Sequence, residues 1–178
     1  MAKIKLTKNE QKKQKDSLKQ FTRYLPTLQL KKQQLQTVIR QSYAEIEELK
    51  VKQKEAVEGM KSWIAVYGEN SSWSEERSIS HLVKVKEVKK TKGNIAGVEV
   101  PVFQSLVFED VPYDLRVYPL WVDKAIVALG EIARYDALIE TLKERIRLLD
   151  KELRTTTQRV NLFEKVKIPE AKENIRVI

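Results

Sequence analysis

Residues 121–163 read WVDKAIVALGEIARYDALIETLKERIRLLDKELRTTTQRVNLF, and the spacing of their apolar side chains decides the fold. Two largely apolar series recur every seven residues here, offset by three or four positions. They are Ala125, Ile132, Ile139, Ile146, Leu153 and Val160, and Trp121, Ala128, Tyr135, Leu142, Leu149, Thr156 and Phe163. A heptad repeat sustained over this length predicts a helix whose apolar seam packs against a second helix.

A second heptad pattern runs from about residue 10 to residue 67. Its two seams hold Leu18, Leu25, Lys32, Ile39, Ile46, Gln53 and Met60, and Phe21, Leu28, Leu35, Ser42, Leu49, Ala56 and Trp63. Pro26 lacks a backbone N–H, so we expect a kink near Leu25. Folding the two helices back on each other buries both seams within one molecule, and a parallel dimer would bury them too.

The periodicity changes to alternation between the two heptad segments. Polar and apolar residues alternate over residues 81–86 and 97–102, which predicts two β-strands, at about 81–90 and 96–107. Lys92-Gly93-Asn94 supplies residues that tolerate positive φ, so we place the turn of a β-hairpin there. Pro101 has no N–H to donate, which predicts an edge strand or a bulge at that position.

These patterns predict a mostly α protein, a long antiparallel two-helix coiled coil with a β-hairpin insert between the helices. We expect a single elongated unit over residues 1–178. Its N-terminal helix would cover about 9–67, its linker and β-hairpin about 68–118, and its C-terminal helix about 119–175. Asn70-Ser71-Ser72 and Asp110-Val111-Pro112-Tyr113 are the predicted joints, and Pro119 is expected just before or within the first turn of the second helix.

The composition argues against most catalytic chemistry. There is no cysteine, and the only histidine, His81, has no neighbouring cysteine or acidic cluster. There is also no glycine-rich phosphate-binding loop of the GxxxxGK[ST] form. We therefore predict a non-enzyme with no catalytic residues, no cofactor and no metal site.

Membrane insertion is not indicated by the hydropathy of the chain. No stretch approaches the roughly 18 consecutive apolar residues of a membrane span. The N-terminus leads into charged residues, without the apolar segment of a signal peptide. The sequence predicts a cytoplasmic protein with no direct insertion into a membrane.

The net charge of +9 is concentrated near the N-terminus. Residues 1–40 carry eleven Lys or Arg against two acids, Glu10 and Asp16. Such a block could steer the protein toward nucleic acid, acidic lipid headgroups or an acidic protein surface. It could equally be a solvated helix face.

Three stretches resemble the D-subunit family of V-type (A/V-type) ATPases, the central rotor shaft of these machines. The first is TQRVNLFEKVKIP at residues 157–169, and the second is NIAGVEVP at residues 94–101. The third combines LTKN at residues 6–9 with YLPTLQLKK at residues 24–32. They occur in the family's order along nearly the whole chain, so together they are specific.

The resemblance implies a role and a set of partners. Members form an antiparallel coiled coil that enters a hexamer of A and B subunits, in which the A subunits hydrolyse ATP. The F subunit binds the lower shaft, and the d subunit (called C in some systems) links it to the membrane ring. The expected function is torque transmission between ATP hydrolysis or synthesis and proton or sodium transport. We expect a complex that is peripheral to the membrane and a chain that binds no nucleic acid.

The resemblance also suggests which residues meet which partner. Hexamer-facing residues would be Arg23, Lys31, Arg159, Phe163 and Ile168. Residues facing the F subunit or the base would be His81, Val83, Val85, Val98, Val100, Phe108 and Trp121.

Two other functions fit a two-helix protein of this kind. A prefoldin-like coiled-coil chaperone would expose apolar residues at the helix tips, whereas Lys3, Lys5 and Lys8 occupy the N-terminal tip. A basic nucleic-acid-binding coiled coil would interleave aromatic residues with its basic face. Here Phe21 falls on the seam and Tyr24 stands alone.

Overall fold

The computed structural model describes residues 6–65 and 79–178 of the chain. Its helices are α1 (Lys8–Ile64), α2 (Val122–Leu162) and α3 (Ile168–Val177), and its strands are β1 (Val85–Ile95) and β2 (Val98–Phe108). A 3-10 turn spans Ile79–His81 and a π-helical turn spans Phe163–Lys167. The prediction of a mostly α fold with an antiparallel β-hairpin between helices is confirmed. The predicted joint at residues 70–72, and Trp73, lie outside the described residues.

Helix α1 begins with a side-chain cap and runs through its proline. The Glu10 backbone N–H donates to Thr7 Oγ1 at 3.3 Å, and this satisfies one of the free N–H groups of the first turn. Pro26 lies inside the helix, which continues without a break to Ile64. A kink at Pro26 stays a prediction. None of the helices within residues 6–65 and 79–178 combines the length and the apolar character that crossing a bilayer requires.

The described residues form two compact units. The first unit comprises residues 6–40, 95–98 and 148–178. Its core holds Leu35, Ile39, Leu149, Val160 and Ala171. Gln14 contacts Asn174, Phe21 contacts Phe163 and Lys31 contacts Glu152. Residue numbers rise on one side as they fall on the other, so the two helical segments of this unit run in opposite directions.

The second unit comprises residues 41–65, 79–94 and 99–147. Its core holds Ile46, Met60, Leu82, Val100, Val122, Ala125, Ile139, Leu142 and Ile146. Glu45 pairs with Arg145 at 3.7 Å, and Gln53 donates to Asp136 at 2.6 Å. Lys124 Nζ lies 5.4 Å from the centre of a Trp63 ring. The helical segments are again antiparallel within this unit.

The two heptad seams place their side chains as the periodicity requires. All of the seam positions assigned from the sequence, on α1 and on the segment from Trp121 to Phe163, are buried or half-buried. Even the polar seam residues Ser42 and Thr156 are 1% and 2% exposed. The apolar repeat therefore identified the inward-facing side of each helix.

The hairpin turn differs from the sequence prediction. The turn lies at Ala96-Gly97, where both residues have positive φ, 51° and 81°. This is the geometry of a two-residue type I′ hairpin. The predicted turn at Lys92-Gly93-Asn94 is therefore wrong, and the strands run over 85–95 and 98–108. Both strands of a two-stranded sheet are edge strands, which agrees with Pro101 lying in β2.

Gly93 lies inside β1 for a steric reason. A Cβ atom at Gly93 would lie 2.9 Å from Val102 Cγ2, closer than side-chain atoms tolerate. The Thr91 hydroxyl donates to the Val102 carbonyl at 3.4 Å, and the Glu109 N–H donates to the Lys84 carbonyl at 2.8 Å. The second bond keeps the register that the Ala96-Gly97 turn sets, so the hairpin is regular over its length.

The C-terminal helical segment is interrupted near its end. A single helix was expected to about residue 175, but α2 ends at Leu162 and α3 begins at Ile168. Between them the Ile168 N–H donates to the Phe163 carbonyl, five residues back. Pro169 follows directly, and it lacks an N–H while its ring crowds the carbonyl of Lys165. The wider π turn accommodates that proline.

Candidate partner-binding surfaces

The first unit brings together two of the expected hexamer-facing residues. Phe163 opens the π turn and stacks on Phe21, with ring centroids 5.3 Å apart and planes at 24°. Ile168 closes the same turn, and its side chain is half-buried, as is that of Phe163. The π turn thus links the two residues, and Phe163 packs against Phe21 of the α1 seam.

The three expected hexamer-facing cations differ in their surroundings. Lys31 Nζ lies 2.6 Å from Glu152 Oε1, and both side chains are 30% exposed, so Lys31 is engaged within its own unit. Arg23 and Arg159 are exposed. Neither forms an ion pair with the carboxylates of residues 6–65 and 79–178.

A row of cations on α1 was not singled out from the sequence. Lys8, Lys12, Lys15, Lys19 and Arg23 are all exposed. At 100° per residue they fall within about 80° of arc, on the side away from the seam. We name these five residues the basic stripe. The spacing of four, three, four and four residues was visible in the sequence and is the signal that could have revealed it.

None of the five cations in the basic stripe is neutralised within the described part of the chain. No carboxylate of residues 6–65 and 79–178 lies within ion-pair distance of any of them. Because like charges along one helix face repel, a row of this kind is costly unless solvent or a negative partner screens it. The stripe is therefore a candidate surface for an acidic partner.

The N-terminal half of the α1 seam is only partly covered. Leu18, Leu25 and Leu28 are half-buried, and Tyr24 and Leu30 are 58% and 55% exposed. Full burial on α1 begins at Leu35. The first unit therefore presents both apolar and basic side chains on its surface.

The residues expected to face the F subunit or the base divide by exposure. His81, Val85 and Phe108 are exposed, and Val83, Val98 and Trp121 are half-buried. Val100 is 2% exposed, so it belongs to the core of the second unit. Val98 belongs to the first unit and the remaining six to the second.

The hairpin is attached to α2 by one ion pair and an apolar strip. Lys90 Nζ lies 2.8 Å from Glu144 Oε2, and this hydrogen bond, aided by the lysine charge, lowers the pKa of Glu144. Val88 and Leu106 line a small cavity with Ala133 of α2. These contacts position the hairpin within its unit.

The segment before α2 carries two perturbed groups. Tyr113 donates a hydrogen bond to the Asp123 carboxylate, and this bond raises the pKa of Tyr113. The Arg116 backbone N–H donates to Asp114 at 2.9 Å and lowers the pKa of Asp114. Across residues 6–65 and 79–178, no three His, Asp or Glu side chains converge to hold a metal ion. The two perturbed groups order this segment through local hydrogen bonds.

Comparison with known proteins matches almost the whole chain to one family. A family model described as the ATP synthase D subunit matches residues 10–178. The chain belongs to this family. The V-type ATP synthase D subunit of Borreliella burgdorferi is 47% identical, over 100% of this chain and 85% of its own length. Those of Chlamydia muridarum and Chlamydia pneumoniae are 34% and 32% identical, over 98% of this chain and 85% and 82% of their own lengths. The resemblance seen in the sequence is confirmed.

Proposed function

We propose that this member of the D-subunit family is the central rotor shaft of a V-type ATPase or ATP synthase and has no catalytic activity of its own. The observation that carries the proposal is the pair of heptad seams, buried or half-buried along α1 and from Trp121 to Phe163. Its membership of a family with V-type relatives supports the same role. The finer architecture we propose is one elongated antiparallel coiled coil.

Such a coiled coil suits torque transmission for a mechanical reason. Bending or twisting it would disturb the packing of every seam layer, and packed layers are stiff because protein interiors are close-packed. Closure of one A/B pair at a time pushes on the shaft, which turns relative to the hexamer and drives ion transport by the membrane ring. In this role the chain lies in the cytoplasm, peripheral to the membrane.

In this proposal the first unit lies inside the A/B hexamer. Arg23, Arg159, Phe163 and Ile168 would contact it, and Lys31 would act through its pair with Glu152. The half-buried seam near Leu25 would be covered by the surrounding subunits. The basic stripe would face acidic residues of the hexamer. Because exposed ion pairs contribute only about 0–1 kcal/mol each, they guide the shaft and still let it slip.

The second unit, together with the hairpin turn, would face the other stalk subunits. His81, Val83, Val85, Phe108 and Trp121 would contact the F subunit or the d (C) subunit, with Val98 at the hairpin turn. Val100 is buried and would act by keeping the hairpin rigid.

Native mass spectrometry of the chain co-expressed with the A, B and F subunits of its own organism tests the proposal. One copy of the chain with an A/B hexamer and one F subunit is the expected composition, because only an axle has a single copy per hexamer. A chain found alone, as a homodimer or as a self-assembled oligomer would overturn it.

The role of the basic stripe is tested by changing all five of its cations to Gln. We expect the complex to dissociate at lower salt than the wild type, since these contacts are screened by ions. The matched control changes Arg40, Lys50, Lys52, Lys54 and Lys61 to Gln on the same helix. Equal salt dependence of the two variants would remove the stripe from the interface. Tight salt-dependent binding to duplex DNA without assembly would favour a nucleic-acid-binding protein.

A further inference from the structure

The second unit contains an apolar groove whose lining residues lie outside the heptad seams. It lies between the ends of the hairpin and one side of α2, and its volume is about 600 Å³. Its floor includes Leu82, Val83, Phe108, Ile126 and Val127. We name it the base groove.

The floor of the base groove stays open to the surface. Val127 is 73% exposed and Phe108 is 38% exposed. Gly130 contributes no side chain, and a Cβ there would lie 3.5 Å from Phe108 Cζ. Exposed apolar residues concentrated in this way mark a surface that a partner covers.

The rim of the base groove is acidic. Glu109, Asp110 and Glu131 line it with one cation, Arg134, and all four side chains are exposed. Within the part of the chain that the structure describes, none of the four forms an ion pair. Glu131 only accepts a hydrogen bond of 3.4 Å from the Tyr135 hydroxyl. The rim therefore carries an uncompensated negative charge next to an apolar floor.

The shape of the groove favours a helix as its occupant. The groove follows α2 from Ile126 to Arg134, which is about two turns or 12 Å of helix. Helices pack side by side at about 8–10 Å between axes, and a helix laid in a groove inserts residues at i, i+3 and i+4. A small molecule would need converging polar groups to orient it, and the charges here lie at the rim.

We propose that the base groove binds an amphipathic helix of another stalk subunit, with its apolar face on the floor and Lys or Arg beside the rim carboxylates. The occupant is defined by charge complementarity, since a helix with an acidic flank would be repelled by Glu109, Asp110 and Glu131. The inference rests on the proposed function, because it assumes that the chain works inside a rotary complex.

Photo-crosslinking in the assembled complex tests the inference. A benzophenone amino acid replaces Val127, which is exposed enough to be changed without disturbing the core. The crosslinked peptide is then identified by mass spectrometry. We expect a peptide of another stalk subunit with apolar residues at helical spacing and a flanking Lys or Arg. Crosslinks only to residues 66–78 of the chain, to a second copy, to a peptide without a basic flank, or to nothing would overturn the inference.

Two substitutions with matched controls measure the two parts of the site. Val127→Asp places a charge on the floor, and we expect about tenfold weaker binding of the partner subunit. Val51→Asp is its control, because Val51 is 56% exposed on α1 and lies outside the groove. Glu131→Lys reverses a rim charge, with Glu58→Lys as its control. Equal effects of test and control variants would contradict the proposed site.

The crosslinking result separates this inference from the proposed function. If native mass spectrometry finds one copy of the chain per hexamer but Val127 crosslinks to no partner, the shaft role stands and the groove proposal fails. If the complex does not assemble at all, the proposed function fails, and the groove proposal fails with it.

Discussion

Two stretches of the heptad seams are buried to different depths: residues 18–28 of α1, in the first unit, and residues 139–146 of α2, in the second. In the first unit the seam residues Leu18, Leu25 and Leu28 stay half-buried. In the second unit Ile139, Leu142 and Ile146 are 5–6% exposed. Both units contain two antiparallel helical segments, but only the second carries most of the β-hairpin.

The difference shows how much cover two helices can give each other. A pair of helices shields the sides that face each other and leaves the flanks of each seam open to solvent. In the second unit, Lys90 and Leu106 of the hairpin add contacts with α2. In the first unit Leu25 stays half-buried. In the proposed function, partner subunits would cover the exposed flank of the seam at Leu25.

The largest expected effect comes from removing a seam residue of the second unit. Leu142→Ala should lower the free energy of unfolding by about 2–5 kcal/mol, because it leaves a cavity in a packed core. Leu25→Ala should cost less than about half of that, since Leu25 is already partly solvated. Chemical denaturation followed by circular dichroism measures both. Equal losses would show that the seam is packed equally well around Leu25 and around Leu142.

A smaller loss in the free energy of unfolding is expected when a side chain is added inside the β-hairpin, most of which belongs to the second unit. Gly93→Ala should destabilise the protein by about 1–3 kcal/mol, because the new Cβ meets Val102 Cγ2. The same substitution in a Val102→Ala background should cost clearly less, since the obstructing atom is gone. An unchanged cost in that background would refute the steric explanation.

The stacking of Phe21 on Phe163 tests how well the half-buried seam of the first unit is packed. A double-mutant cycle with Phe21→Leu and Phe163→Leu should give a coupling energy of about 0.5–1.5 kcal/mol. The Leu variants keep apolar area and remove the ring contact, so the cycle isolates the stack. A coupling near zero would mean that solvent has already weakened the contact.

The smallest effect concerns the ion pair that attaches the hairpin. Lys90 lowers the pKa of Glu144 in the folded protein below its ordinary value of 4.5. The pair therefore stabilises the fold above about pH 4.5, and this contribution is lost as the pH falls through the lowered pKa. Lys90→Met should remove about 0–1 kcal/mol at neutral pH and nothing at low pH. A pH-independent difference between wild type and Lys90→Met would contradict this.

Sequence reasoning located the seams but misplaced the hairpin turn. Gly93 and Gly97 both permit a turn locally, and the strand pairing places the turn at Gly97 and leaves Gly93 inside β1, where Val102 leaves no room for a Cβ atom. The same limit applies to Lys31, which looks like a free surface cation until Glu152 is seen beside it, 121 residues further on. The break before Pro169 was missed, because the helix was predicted to continue to about residue 175, whereas α2 ends at Leu162 and a π turn follows.

The amino-acid sequence by itself determined the helices, the existence of a hairpin and the concentration of positive charge. Heptad spacing, alternation and charge are properties of residues close together in the sequence. They can therefore be recognised without knowing which distant residues make contact. The tertiary structure alone decided the turn at Ala96-Gly97, the pairing of Lys31, the burial of Val100 and the base groove. Each of these depends on which distant residues meet, and that is fixed by the register at which helices and strands pack most closely.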